Sequence, residues 1–140
     1  MSETLNTIQQ IGKLCQSAWL DNIYRDLITS GGLGKLIELC ITGLTSNPSI
    51  FEKAISNSSD YDQSLLRLAN EGKDAEEVFE SLAIEDIGAV ADLLRPIYDR
   101  TNRVDGYVSL EVNPHLAADT DGTVSQGMRL FKALGRPNVM

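Results

Sequence analysis

Two polar side chains, Thr45 and Asn47, fall where the segment Thr42-Gly43-Leu44-Thr45-Ser46-Asn47-Pro48-Ser49-Ile50-Phe51 passes from an apolar strand straight into a helix. In α/β proteins the carboxyl ends of the strands are where chemistry is done, because side chains from neighbouring strands converge there. A second segment, residues 106–112, alternates Val108, Leu110 and Val112 with Ser109 and Glu111. The pleat of a strand therefore turns Glu111 away from the apolar layer. A third segment, residues 17–22, sets Ala18 and Leu20 on one face and ends with Asp21 on the other. An acid, an amide and a second acid are thus expected on one rim, a set suited to moving protons.

Each of these residues also has a purely structural use. Asn47 before Pro48 reads as a helix start, since asparagine accepts from the free amides of the first turn and proline is tolerated at the first helical position. Asp21 could cap a helix beginning at Ile23 in the same way. Glu111 is harder to explain structurally, because a carboxylate at an inward-facing strand position is costly to desolvate unless it is paired or used. His115, in Asn113-Pro114-His115-Leu116, follows the same strand and reads as an exposed loop residue rather than a general base. Trp19 reads as a core anchor, and Tyr61 and Tyr107 as packing residues.

The elements that must position this rim follow from periodicity. Leu5, Ile8, Ile11 and Leu14 predict a short amphipathic helix before the first strand. After Asp21 two helical pieces are expected, broken at Gly31-Gly32, then a strand over about residues 40–46 and a helix to about Ser56. Ser59 with Asp62, and Asp74 with Glu77, mark two further helix starts, with Gly72 as the stop between them. Ile87, Val90, Ala91, Leu94 and Ile97 form one buried stripe, leaving Glu85, Asp86, Asp92 and Arg95 on the more exposed side, and Pro96 is expected to bend the final turn. A third strand spans about residues 105–112. Thr123 with Gln126 has a capping-box pattern for a helix ending at Gly135, and Asn138-Val139-Met140 begins a fourth strand.

Strands alternating with helices imply parallel pairing through crossovers, as on one side of a barrel or in a doubly wound sheet. No strand is followed by Gly-x-Gly-x-x-Gly, and no glycine-rich loop ends in Gly-Lys-Ser/Thr, so neither a dinucleotide fingerprint nor a P-loop is present.

With 140 residues and 42% hydrophobic content the chain has material for one ordinary core, hence one unit over residues 1–140. A formal net charge of -8, without a basic patch, argues against nucleic acid or an acidic membrane as partner. Cys15 and Cys40 are far from Cys-x-x-Cys spacing and cannot form a usual zinc set with the single His115. They read as two reduced, buried thiols. No stretch approaches a membrane span and no leader pattern opens the chain, so a cytoplasmic location is expected.

Three words carry a resemblance: Trp19-Leu20-Asp21-Asn22-Ile23; Thr45-Ser46-Asn47-Pro48-Ser49-Ile50-Phe51-Glu52-Lys53-Ala54-Ile55; and Val108-Ser109-Leu110-Glu111-Val112. In this order and spacing they resemble the amino-terminal half of a transaldolase, in particular the bacterial branch also found fused to a glucose-6-phosphate isomerase. The resemblance covers about residues 15–140. It implies a partial (β/α)8 TIM barrel, about strands 1 to 3 and the start of strand 4 with their helices. It also implies transfer of a dihydroxyacetone unit between sugar phosphates in the pentose phosphate pathway, from sedoheptulose 7-phosphate to glyceraldehyde 3-phosphate, through a lysine Schiff base, with no metal or other cofactor. By resemblance Asp21 is the base for the hydroxyl beside the breaking carbon–carbon bond. Glu111 acts through a water as acid and base on the lysine adduct. Asn47 holds a hydroxyl of the dihydroxyacetone unit, and Thr45 lines the same floor.

The resemblance also places the Schiff-base lysine on strand four, just after the segment that Arg136-Pro137-Asn138-Val139-Met140 resembles. Lys13, Lys35, Lys53, Lys73 and Lys132 all fall on expected helices or loops. The chain is therefore expected to be truncated before that lysine and inactive alone. Since a full barrel takes about 250 residues, half of one would leave two strand edges and an inner face open. Self-association, exchange of elements between copies, or pairing with a complementary barrel fragment would relieve this. A non-catalytic half-barrel serving as an interaction or regulatory module is the alternative reading, and another lysine-dependent sugar-phosphate aldolase a third.

Overall fold

The computed structural model describes residues 5–140. Strand β1 (Ala18–Asp21) pairs in parallel with β2 (Ile41–Thr45), with Trp19 opposite Gly43 and Asp21 opposite Thr45. Parallel neighbours cannot be joined by a hairpin. The connection here is a helical crossover of α2 (Arg25–Thr29) and α3 (Gly32–Glu38), hinged at Gly31, whose φ of 80° lies in the left-handed region that glycine adopts freely.

After β2 the chain forms α4 (Pro48–Ser56), a 3-10 turn (Ser59–Tyr61), α5 (Asp62–Asn70) and α6 (Ala75–Arg100) before returning to the sheet. Asp74 and Glu77 form the expected capping box at the start of α6. Residues 106–110 then add to the free side of β2. Gly106 N donates to Thr42 O at 3.0 Å, Leu44 N to Tyr107 O at 3.1 Å, and Ser109 N to Leu44 O at 3.0 Å. Helix α7 (Thr120–Leu134) leads to residues 138–140, which pair with the far side of 106–110. Val108 N donates to Asn138 O at 3.1 Å, Met140 N to Val108 O at 3.0 Å, and Leu110 N to Met140 O at 2.9 Å. Both junctions are parallel bridges, Leu44 with Val108 and Val108 with Val139. β1, β2, 106–110 and 138–140 thus run side by side in chain order and in one direction.

The core lies on one face of this array. Leu44, Val108 and Val139 point into it beside Ile87, Val90, Ala91 and Leu94 of α6, with Leu20 packed at its edge. Alternation along the pleat sends Trp19, Asp21, Gly43, Thr45 and Ser109 to the opposite face. Trp19 is half-buried and stands outside the core cluster, contrary to its reading as a core anchor. Its indole instead covers Gly43, where any Cβ would clash with the ring.

Several expectations are corrected. The first helix, α1, covers Thr7–Gly12, capped by Asn6, and Leu5 and Leu14 lie outside it. The helix after β1 begins at Arg25 rather than Ile23, and Asp21 does not cap it. Ser58, not Ser59, accepts the amide of Asp60 at the turn. Asp119 caps α7, so Thr123 lies inside the helix and donates to Leu116 O, while Gln126 Oε1 accepts from Asn113 N. Pairing of the third segment stops at Leu110, short of Glu111 and Val112. Cys15 is exposed and Cys40 half-buried, so neither is the buried thiol expected.

Asp86 is the largest departure, being 4% exposed rather than solvated. Tyr61 Oη donates to its Oδ2 at 2.8 Å, and Arg25 Nε to its Oδ1 at 2.9 Å. The apolar stripe of α6 is wide enough to include position 86, because α2 and the turn at Tyr61 cover that side of the helix and supply partners. Burial raises the carboxyl's pKa, opposed by the Tyr61 hydrogen bond and Arg25.

Candidate functional site

β1 and β2 end level with one another, and their last side chains meet. Thr45 Oγ1 donates to Asp21 Oδ1 at 2.7 Å across the strand pair. Opposed residues on one face of a sheet lie within reach of each other, so the register that sets Asp21 against Thr45 dictates this contact. Asp21 remains exposed, so its carboxylate is oriented on one oxygen while staying open to the solvent side.

One residue on, the chain leaves β2 through a clasp that sequence reasoning missed. Ser46, 1% exposed, donates from Oγ to Ser109 O at 2.7 Å and from its amide to Ser109 Oγ at 3.2 Å. These paired bonds carry the β2 to 106–110 junction past the last backbone bridge and hold the two strand ends together. The only advance signal was the polar run Thr45-Ser46-Asn47 opposite a serine in Val108-Ser109-Leu110.

Asn47 follows the clasp and performs the structural task anticipated for it. Its Oδ1 accepts from Ile50 N at 3.0 Å, capping α4, with Pro48 in the first turn. With the oxygen so engaged, the amide nitrogen is the end of Asn47 left to donate to a ligand. Asn47 and Glu111 line one small recess of about 10 Å³ together with Ser46, Phe51, Phe79 and Leu110. The parallel order thus brings the amide and the second acid together, as their positions at strand ends required.

Glu111 itself is exposed and makes no ion pair or hydrogen bond among the described residues. The desolvation argument made for it does not apply, since it stands just beyond the paired backbone. It also borders a cleft of about 310 Å³ between α6 and α7, floored by Phe79, Ala83, Leu110 and Leu130 and edged by Glu76, Glu80 and His115. His115 is exposed, in a 3-10 turn where its amide donates to Asn113 Oδ1. Asp21, Thr45, Asn47 and Glu111 therefore share one end of the parallel array, and His115 lies beyond it.

The lysines are elsewhere. Lys35, Lys53 and Lys132 lie on α3, α4 and α7, Lys13 closes α1, and Lys73 sits in the turn before α6 and donates to Ser81 Oγ at 2.8 Å. Among the described residues no group of three or more His, Cys, Asp or Glu could hold a metal ion, and no helix is long and apolar enough to cross a membrane.

The family model described as Transaldolase/Fructose-6-phosphate aldolase matches residues 18–140. A transaldolase of Thiobacillus denitrificans is 47% identical over 137 residues, 97% of this chain and 38% of its own length. Transaldolase 2 of Nostoc punctiforme is 44% identical over 136 residues, 96% of this chain and 36% of its own length. Transaldolase 2 of a Nostoc species is 44% identical over 137 residues, 97% and 36% respectively. The chain thus spans little more than a third of these relatives.

Proposed function

Because the chain belongs to the transaldolase/fructose-6-phosphate aldolase family, whose fold is of the TIM-barrel type, we propose that it carries the proton-handling part of a transaldolase site. On this reading the parallel pieces β1, β2, 106–110 and 138–140 are strands one to three and the start of strand four. The whole enzyme passes a dihydroxyacetone unit between sugar phosphates in the cytoplasm through a lysine Schiff base. The observation that supports it is the convergence of Asp21, Thr45, Asn47 and Glu111 at the carboxyl end of one parallel array.

The chemistry suits the residues. Aldol cleavage removes a proton from the hydroxyl adjacent to the breaking bond, and Asp21, steered by Thr45, is the base. Forming and dehydrating a carbinolamine moves protons to and from an oxygen, which the exposed Glu111 does through a water. Asn47, with its oxygen committed to the α4 cap, donates its amide hydrogens to a substrate hydroxyl. The electron sink is the iminium formed with the Schiff-base lysine, which the resemblance places beyond residue 140. No lysine among the described residues stands on a strand, so this chain alone is inactive.

Two experiments test the reading. Borohydride reduction of the chain with fructose 6-phosphate should leave its mass unchanged, and a stable adduct on any of the five lysines overturns the claim of inactivity. A chimera in which residues 18–140 replace the matching part of an intact transaldolase should turn over. In that chimera Asp21→Asn and Glu111→Gln should each lower kcat about 100-fold or more. An active chimera indifferent to both substitutions sinks the assignment.

A further inference from the structure

The junction between β2 and 106–110 changes its hydrogen bonding at the last step. Two regular parallel bonds come first, Leu44 N to Tyr107 O at 3.1 Å and Ser109 N to Leu44 O at 3.0 Å. A ladder of this kind would continue with Ser46 N donating to Ser109 O. Instead the two side chains take over. Ser46 Oγ donates to Ser109 O at 2.7 Å, and Ser46 N turns to Ser109 Oγ at 3.2 Å. Both hydrogens of Ser46 are thereby used. A hydroxyl that accepts an amide still has one hydrogen to give, and that of Ser109 meets no acceptor among the described residues.

Register says where this donor stands. Asp21 is opposite Thr45 and Leu44 is opposite Val108, so the next step sets Thr45 opposite Ser109. Asp21, Thr45 and Ser109 therefore form one row across three adjacent strands, on the face turned away from the core. Thr45 gives its hydrogen to Asp21. The row thus offers a carboxylate acceptor at one end and a hydroxyl donor at the other, two strand spacings or about 10 Å apart at the backbone. It is built from contacts among β1, β2 and 106–110 and does not depend on residues 138–140.

We propose that Ser109 is a substrate-binding residue, its hydroxyl donating to a hydroxyl oxygen of the dihydroxyacetone unit while Asp21 takes the proton beside the breaking bond. The proposal rests on the transaldolase reading above and adds Ser109 to its residues. Side chains reaching in from both ends of the row shorten the gap to the length of a few carbons, which suits a short polyol laid along it. The Ser46 amide holds the Ser109 oxygen in place, so little ordering is left to be done when a ligand arrives.

The test uses the chimera described above, with residues 18–140 set in an intact transaldolase. Ser109→Ala and Ser46→Ala each remove one bond of the clasp, so a purely structural Ser109 predicts equal losses from the two. As a substrate donor, Ser109→Ala should lower kcat/KM for fructose 6-phosphate about tenfold more than Ser46→Ala does. Ser109→Thr, which keeps the hydroxyl, should restore most of that difference. The excess loss should also vanish with either the 1-deoxy or the 3-deoxy form of the donor, whichever lacks the hydroxyl that Ser109 holds. Equal losses from Ser109→Ala and Ser46→Ala overturn the proposal, as does an excess that both deoxy donors retain. Asp21→Asn and Glu111→Gln in the same chimera separate the two levels: if they still lower kcat, the transaldolase reading stands without Ser109, and if neither does, that reading falls and the proposal with it.

Discussion

The hydroxyl of Tyr61 stands between Arg25 and Asp86, accepting from the Arg25 amide at 3.0 Å and donating to Asp86 Oδ2 at 2.8 Å. One fully buried oxygen thereby satisfies the first turn of α2 and a carboxylate on α6. Because α2 follows directly from β1, this bond fixes the path of the chain leaving Asp21. Tyr61→Phe keeps the ring and removes only the bridge, leaving a buried acceptor and donor without partners. The expected loss is about 1–3 kcal/mol in urea unfolding. A loss too small to measure would mean that water replaces the hydroxyl.

Arg25 is the charge that makes Asp86 tolerable, with its guanidinium 2.8 Å from Oδ1 and the two side chains 16% and 5% exposed. Arg25→Met should cost about 3 kcal/mol near neutral pH, since a buried carboxylate is left without its counter-charge. Burial already raises the pKa of Asp86 above its ordinary value, and losing Arg25 raises it further. A carboxyl raised in the folded state stabilises the fold when protonated and ceases to as pH rises through its folded value. The deficit of Arg25→Met against the unmodified chain should therefore shrink as pH falls into the carboxylate range. A deficit constant with pH in denaturant titrations would show that Asp86 is not its source.

Asp86 also marks where the sequence stops being legible. The stripe at Ile87, Val90, Ala91, Leu94 and Ile97 was readable because one helix writes its own periodicity. Whether position 86 belonged to it depended on Tyr61 and Arg25, residues from other elements that no local pattern links to α6. The strand ends were legible for the same local reason, and Asp21, Thr45, Asn47 and Glu111 do share one rim. What escaped was pairwise: the Thr45 to Asp21 bond follows from register, and the Ser46 to Ser109 clasp from two segments 63 positions apart. Trp19 was misread because its size suggests a core, while strand alternation puts it on the face with Asp21. The cap of α7 was misread because two capping candidates, Asp119 and Thr123, stand one turn apart and only the path from Leu116 decides between them.

Trp19 and Gly43 supply an optical test of the β1 to β2 register. The indole lies so close over Gly43 that an added methyl has no room, which is why a strand interior carries glycine here. Gly43→Ala should push the ring off the sheet, at a cost of about 1–3 kcal/mol. It should also shift the emission of the only tryptophan toward the red, since the ring gains water. Unchanged emission together with unchanged stability would mean that the two residues are not opposed as described.

The clasp gives the last prediction, and it separates a structural role from a positional one. Ser46→Ala deletes the donor to Ser109 O but keeps the Ser46 amide, which still reaches Ser109 Oγ. Half of the junction therefore survives, and the loss of stability should be near 1 kcal/mol, the usual net value of one hydrogen bond. Its local effect should be larger than that figure suggests. Asn47 follows Ser46 directly and Glu111 lies two residues past Ser109, so loosening the clasp should move the amide resonances of these two residues more than those of α6 or α7. Hydrogen exchange at Ser46 and Ser109 should quicken together, because a strand end freed on one side frees its partner. If Ser46→Ala instead leaves the resonances at 47 and 111 in place, the recess they share is held by the α4 cap and the Phe79 side of α6 alone.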